Sequence, residues 1–148
     1  MIPPFDVQRI DHLVLRVRDL AGADVGTLNS WKLTFNGYST VSPGTAIPDN
    51  NTTGISSAIN VASNGTVKRV EVTVGITHTY IGDLIVTLVA PDGSTYVLHN
   101  RSGGSADNVT GTFSRNLSSE ALNGTWKLRV NDNAGGDTGY INSWSITF

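Results

Sequence analysis

The chain has 148 residues with no cysteine, 16 glycines, five prolines and 39% hydrophobic residues. That length suits one domain of about 100–150 residues with a short appendage, and it is too short for a typical protease, kinase or dehydrogenase catalytic domain. Ten basic and twelve acidic residues give a net charge of −2 without a basic block, and every apolar stretch is strand-sized. Nucleic acid and membrane are therefore excluded as expected partners. The lack of cysteine also excludes a disulfide framework and thiolate metal sites.

The first feature along the chain is an internal repeat. Residues 15–35 align without gaps with residues 128–148, and 13 of 21 positions are identical. The identical pairs include Asp19 with Asp132, Asp24 with Asp137, Gly26 with Gly139 and Trp31 with Trp144. Too few residues precede the first copy to hold a whole module. We therefore predict that residues 1–35 end in the final strand pair of a preceding repeat, that residues 36–45 form a linker, and that residues 46–148 form a complete domain.

The first copy contains only the last two strands of a module, and the strands that would pair with them and cover them do not precede it in this sequence. Its predicted strands, residues 13–17 and 31–35, could compete for the position of the last two strands of the complete domain. They could instead add to an open sheet edge, in the same chain or in a neighbouring chain as a strand-swapped dimer through residues 13–35. We expect them to be ordered only where such pairing exists. The residues after Met1 lack the charged and apolar regions of a signal peptide, so we expect the chain to be a piece of a larger secreted protein.

Alternating apolar residues predict the strands of the complete domain. The positions predicted to face the core are Val70, Val72, Val74 and Ile76 in one strand, Trp126, Leu128 and Val130 in another, and Trp144, Ile146 and Phe148 in the last. Residues 84–90 are apolar on both faces, which predicts a central strand covered on both sides. Residues 90–93, Ala-Pro-Asp-Gly, predict a type I turn. Short strands separated by turn residues predict an all-β sandwich.

Four motifs in this order resemble the P domain, also called P/Homo B. The motifs are HTYIGDL at residues 78–84, LVAPDG at 88–93, GTWKLRVND at 124–132 and GYINSWSI at 139–146, after an opening IPDNN at 47–51. P domains follow the subtilisin-like catalytic domain in kexin- and furin-type proprotein convertases, and similar domains are appended to many bacterial secreted proteases. The resemblance covers residues 46–148, whereas residues 13–35 resemble only the last two strands. It implies a jelly-roll β-sandwich of the galactose-binding type.

The resemblance also implies a function without catalysis. Such domains pack against the protease, support its folding or stability, tune its calcium and pH dependence, or help to bind protein substrate. The partner expected is therefore the catalytic domain of a parent protease, outside the cell. The residues agree, because the sequence holds no G-x-S-x-G or H-E-x-x-H motif and its three histidines are scattered. The alternative is a stand-alone module that binds carbohydrate or extracellular matrix protein, although Trp126 and Trp144 lie in phase with core residues and are predicted to be buried.

Calcium is the one cofactor that the residues suggest. Asp83, Asp107 and Asp132 fall in predicted loops at one end of the sandwich, and the glycine-containing loop of residues 102–108 could wrap an ion. Calcium takes about six to eight oxygen ligands, which carboxylates and amides supply. The alternative is structural, since an Asp side chain in a tight turn accepts hydrogen bonds from backbone N–H groups. The recurrence of Asp132 as Asp19 shows that the repeated block needs this residue but does not separate the two interpretations.

Overall fold

The computed structural model describes residues 14–20, 22–23, 25–31 and 38–148, and the chain divides into two units, Met1–Thr34 and Phe35–Phe148. In the first unit the described residues form no helix or strand. The strand predicted at residues 13–17 is therefore not formed over residues 14–17. The strand predicted at residues 31–35 lies, apart from Trp31, outside the described residues. That both segments become ordered only when they pair with a sheet stays a prediction.

The described part of the second unit consists of nine strands in two antiparallel sheets. The strands are β1 (Tyr38–Val41), β2 (Thr45–Ile47), β3 (Asn51–Val61), β4 (Thr66–His78), β5 (Leu84–Val89), β6 (Thr95–Asn100), β7 (Val109–Ala121), β8 (Gly124–Asp132) and β9 (Gly139–Thr147). One sheet has the order β1-β9-β4-β7, with β2 also paired to β9, and the other has the order β3-β8-β5-β6. This alternation of strands between two sheets is the jelly-roll arrangement. The predicted fold class, an all-β jelly-roll sandwich, is confirmed.

The segment predicted as a linker, residues 36–45, is partly strand. β1 pairs with β9 from Tyr38 opposite Thr147 to Val41 opposite Trp144, and β2 pairs with the beginning of the same strand. The linker prediction is therefore wrong for residues 38–41 and for Thr45, which lie in strands. β1 is short and has a sheet neighbour on one side only, so main-chain pairing holds it without the apolar alternation on which the prediction relied.

The core lies between the two sheets and contains the residues that the alternation predicts. Val70, Val72, Val74 and Ile76 are all at most 3% exposed, and the predicted inward residues of β8 and β9 are buried. Phe148, which follows β9, is only half-buried. The indole N–H of Trp144 donates to Ser57 Oγ at 2.9 Å, and that of Trp126 donates to the Leu122 carbonyl at 3.0 Å. Both rings therefore belong to the core, as predicted, and are not sugar-stacking surfaces.

β5 differs from its prediction on one face. Leu84, Val86 and Leu88 point into the core and are fully buried. On the outer face Thr87 is also buried, whereas Ile85 and Val89 are half-buried. The prediction that this strand is covered on both sides is therefore wrong for Ile85 and Val89. Neighbouring strands β6 and β8 shield part of the outer face, and an apolar sequence cannot distinguish that shielding from a third layer.

The turn after β5 forms as predicted. The N–H of Gly93 donates to the Ala90 carbonyl at 2.9 Å, and the N–H of Ser94 donates to Asp92 Oδ1 at 2.8 Å. This backbone hydrogen bond from Ser94 lowers the pKa of the exposed Asp92 carboxyl below its ordinary value. Within the described part of the chain, no helix has the length and apolar character needed to cross a membrane.

Candidate functional site

Three loops gather at one end of the sandwich, which we call the His78 end. They are residues 79–83 after β4, 101–108 after β6 and 133–138 after β8. Strand pairing brings them together, because His78 lies opposite Gly139 and Leu84 lies opposite Asp132. All three sequence-predicted calcium ligands fall in these loops or beside them.

His78 and Asp132 form a buried polar pair at the centre of this end. Nε2 of His78 lies 3.2 Å from Oδ2 of Asp132, and neither side chain has any solvent-exposed surface. The Ala134 N–H donates to the other carboxylate oxygen at 3.1 Å. On the far side of the ring, Nδ1 lies 3.1 Å from the Tyr80 nitrogen and 3.0 Å from the Tyr80 carbonyl oxygen. Because a carboxylate only accepts hydrogen bonds, Nε2–H donates to Asp132. Since His78 ends β4 and Asp132 ends β8, the pair ties the two sheets together.

The pair resembles an acid–base dyad in its chemistry but not in its access. A carboxylate that orients an imidazole is the arrangement used in general-base catalysis. Here both ring nitrogens are engaged by protein atoms and the ring is enclosed, so a substrate atom has no route to it. The arrangement is suited to holding the loops and not to moving a proton to a ligand.

Gly139 explains how the chain approaches His78 so closely. A Cβ atom at this position would lie 2.0 Å from the Thr77 carbonyl oxygen and 2.7 Å from Cδ2 of His78. Both distances are far below van der Waals contact, and the nearer atom belongs to the backbone. The start of β9 therefore requires glycine, and the first copy of the repeat also has glycine here, Gly26.

Asp83 is the second predicted ligand and lies in a single turn of 3₁₀ helix, Ile81–Asp83. Its carbonyl oxygen accepts both the backbone N–H and the side-chain amide of Asn133, each at 2.9 Å. Its carboxylate is mostly buried, and Oδ1 lies 4.0 Å from the guanidinium of Arg101. Asp83 thus connects the loop after β4 to the loop after β8.

Asp107 is exposed on a loop that is tied down by its main chain. The N–H groups of Ile81 and Gly82 donate to the carbonyls of Ala106 and Gly104 at 3.0 and 2.9 Å. Asn108 closes the loop, because its N–H donates to the His78 carbonyl at 2.9 Å and its side-chain oxygen accepts the His78 N–H at 3.1 Å. The loop predicted to be flexible enough to wrap an ion is therefore held against β4.

The three predicted calcium ligands share this end of the sandwich but not a common centre. In the described residues, no group of three or more acidic or histidine side chains is arranged to hold a metal ion. Asp132 has both oxygens hydrogen-bonded inside the core, Asp83 lies beside a guanidinium, and Asp107 points from an exposed loop. The residues as arranged do not fit a calcium ion bound by all three, and calcium binding stays a prediction.

Sequence reasoning missed the partnership between His78 and Asp132. The two residues are 54 positions apart, and the sequence alone shows His78 only as one of three scattered histidines. The available signal was the repeat, which keeps Asp132 as Asp19 while changing both of its sequence neighbours. That pattern indicates a residue that contacts a distant part of the chain and does not only stabilise its own turn.

Residues 67–148, more than half of the chain, match the family described as the proprotein convertase P-domain. The chain belongs to this family. The P domain resembles the Leupeptin-inactivating enzyme 1 of Streptomyces exfoliatus, with 55% identity over 104 residues that cover 69% of this chain and 24% of the relative. The Transglutaminase-activating metalloprotease of Streptomyces mobaraensis is 38% identical over 141 residues, or 93% of this chain and 19% of the relative.

Two further comparisons extend this result. The Calcium-dependent protease of Trichormus variabilis is 39% identical over 99 residues, covering 60% of this chain and 15% of the relative. The crystal structure of the serine protease of Aeromonas sobria superposes with a TM-score of 0.65 and 22% identity, over 80% of this chain and 28% of that one, which supports the fold. The chain spans about a quarter or less of each curated relative. Its P domain is of a kind that occurs within much longer, protease-related proteins.

Proposed function

We propose that this P domain is a non-catalytic accessory domain of a secreted protease, which stabilises or regulates the catalytic domain or helps it to bind protein substrate outside the cell. One observation carries the proposal: the relatives named as proteases share only 19% and 15% of their length with this chain. The remainder of each is long enough for a catalytic domain. Under this proposal the partner of the chain is that catalytic domain.

The geometry of the His78 end supports a structural role. His78 is enclosed with Asp132, and the other described histidine, His99, places Nε2 2.9 Å from the Ile81 carbonyl. Both imidazoles are used to fix the loop of residues 79–83. We infer that catalytic residues are absent from this chain and that the isolated chain does not hydrolyse peptide bonds.

The test uses the full-length precursor that carries this domain. Asp132→Ala removes the buried carboxylate, whereas Asp19→Ala changes the same residue in the exposed first copy. We expect Asp132→Ala, and not Asp19→Ala, to shorten the half-life of secreted proteolytic activity at elevated temperature. A loss on protein substrate alone, with activity on a small peptide unchanged, would assign the domain to substrate binding. Unaltered activity and half-life on both substrates, with the domain shown to be unfolded, would contradict the accessory role.

The alternative, a module that binds carbohydrate or matrix protein, is supported by two exposed aromatic residues at the His78 end. Tyr80 is 37% exposed and Tyr140 is 50% exposed. Sugar rings stack on such side chains. Calorimetric titration of the chain with oligosaccharides, repeated with Tyr140→Ala, tests this function. Binding heat that disappears in the variant would support carbohydrate binding. If no oligosaccharide gave binding heat, the carbohydrate-binding alternative would be refuted and the accessory role would remain.

Calcium belongs to the same proposal as a regulator of stability. A relative is named a calcium-dependent protease. Asp83, Asp107 and Asp132 lie at one end of the fold but share no common centre, so calcium at this end would be bound by one or two of them and not by all three. A ligand present at about 100 times its dissociation constant, and binding only the folded state, adds about 2.7 kcal/mol to stability. Thermal melts with calcium and with excess EDTA would then differ by several degrees. Identical melts would assign the three aspartates to turns and loop packing.

A further inference from the structure

The chain carries two copies of the segment that completes its sandwich. Residues 128–148 fill most of what we call the β8–β9 position, in which β8 lies between β3 and β5 and β9 lies between β4 and the pair β1 and β2. The first four residues of β8, which include the buried Trp126, precede the repeated segment. We propose that residues 15–35 can take this position within the same chain. The product is a second complete P-domain sandwich with circularly permuted strand order, and residues 128–148 are released from it.

The first copy keeps most of the residues on which the β8–β9 position depends. Leu128, Val130 and Trp144 are at most 1% exposed, and their counterparts Leu15, Val17 and Trp31 are identical. Asp132, which holds His78, is matched by Asp19, and Gly139, where no side chain fits, is matched by Gly26. Two more buried positions, Ile141 and Ile146, become Leu28 and Leu33, changes that conserve side-chain volume.

The same apolar residues are at the surface in the first unit. Leu15 is 44% exposed, Val17 is 67% exposed and Trp31 is 51% exposed. The loop between them nevertheless shares a backbone feature with its copy: Ala23 has φ of +90° where its counterpart Gly136 has +108°. Alanine rarely adopts this conformation, so the first copy keeps a loop geometry that glycine suits better. The segment therefore offers core residues and part of a loop shape, and its described residues belong to no sheet.

The register of β1 provides the connection. Tyr38 pairs with Thr147, and the counterpart of Thr147 in the first copy is Thr34. If the first copy replaced β9, three residues would separate Thr34 from its partner Tyr38, namely Phe35, Asn36 and Gly37. Asn-Gly is a strong hairpin signal, and a three-residue hairpin loop favours glycine at its last position. β1 could thus keep its present place in the sheet while the first copy joins it through a tight hairpin.

The differences between the copies explain which one holds the position. Ser145 is buried, and its counterpart is Lys32. Asn133 donates twice to the Asp83 carbonyl, and its counterpart Leu20 has no side-chain amide for one of these bonds. Each difference favours residues 128–148. The permuted form is therefore the minor one until the native strand pair is weakened.

The test blocks each copy with the same substitution in the full chain. Gly139→Val excludes residues 128–148, because its side chain would meet the Thr77 backbone. Gly26→Val is the matched control, since no atom lies within 4 Å of an added Cβ at that position. We expect Gly139→Val to keep a cooperative melt and a near-UV signal from a buried tryptophan, and Gly26→Val to behave as the unaltered chain. The double variant should lose the cooperative melt.

Limited digestion with trypsin identifies which copy is released. In the unaltered chain we expect cleavage after Arg16 and Arg18, which are exposed. In Gly139→Val the pattern should reverse, with protection at these sites and cleavage after Lys127 and Arg129. Equal loss of folding in Gly139→Val and in the double variant would overturn the proposal. So would a folded Gly139→Val chain whose sites at Arg16 and Arg18 stay open.

Discussion

The stability of the P domain should depend on the buried pair of His78 and Asp132. Asp132→Ala leaves two hydrogen-bond donors without their acceptor, His78 Nε2–H at 3.2 Å and the Ala134 N–H at 3.1 Å. An unsatisfied buried donor costs about 1–3 kcal/mol. Ala134 is half-buried, so water can replace one of the two bonds. We therefore expect the free energy of unfolding to fall by about 3 kcal/mol.

The measurement is urea unfolding at pH 7, followed by the fluorescence of the buried tryptophans. Both the reference protein and the variant should carry Gly26→Val, so that the first copy of the repeat cannot take the place of the altered strand. At about 4 °C per kcal/mol for a domain near 100 residues, the melting temperature should fall by about 12 °C. Asp132→Asn keeps the shape and one acceptor, and it should lose less than Asp132→Ala.

Asp19→Ala is the control for this prediction. Asp19 occupies the same position in the first copy but is exposed to solvent, where water can replace the interactions of its carboxylate. Asp19→Ala should therefore lower the free energy of unfolding less than Asp132→Ala does. If Asp132→Ala and Asp19→Ala lowered the free energy of unfolding equally, the reasoning from burial and lost hydrogen bonds would be refuted.

Two smaller predictions concern a contact in the core and the irregular pairing of β3 with β8 between Asn51 and Ile55. Ser57→Ala removes the acceptor of the buried Trp144 indole N–H and should cost about 1–3 kcal/mol, whereas Ser56→Ala on the exposed face should change little, as measured by urea unfolding. Gly54→Ala should lower the melting temperature much more than Gly44→Ala. Both glycines have positive φ, but an added Cβ lies 2.3 Å from a backbone oxygen at Gly54 and meets open space at Gly44. Equal losses in either pair would contradict these assignments.

The strands of the core could be predicted because burial leaves a period of two in the sequence. Val70 to Ile76 alternate with Arg69, Glu71 and Thr73, and the structure places the first set in the core and the second on the surface. β1 could not be found this way, because a short edge strand that pairs on one side needs no apolar face. The prediction for the outer face of β5 was wrong for the opposite reason, since this face carries apolar residues that neighbouring strands cover only in part.

The candidate site was harder to predict than the fold, because its contacts join residues far apart in sequence. Asp83 and Asp107 were singled out as carboxylates in loops, which was correct for their location. The surroundings of these carboxylates could not be predicted from the sequence. The guanidinium of Arg101 lies 4.0 Å from Asp83, and the loop that carries Asp107 is fixed by backbone hydrogen bonds to residues 81 and 82. Composition reveals which residues could bind an ion, but only the pairing of strands decides which of them meet.

The exchange between the two copies should be visible as a coupling between Asp132 and Gly26. Asp132→Ala weakens the native strand pair by about 3 kcal/mol, which favours the first copy, whose Asp19 can still hold His78. In a chain with an intact Gly26 the measured loss is then limited to the free-energy gap between the two forms. In the Gly26→Val background the whole loss appears, so the two losses should differ. Equal losses in both backgrounds would mean that the first copy does not reach the β8–β9 position even when its competitor is weakened by that amount.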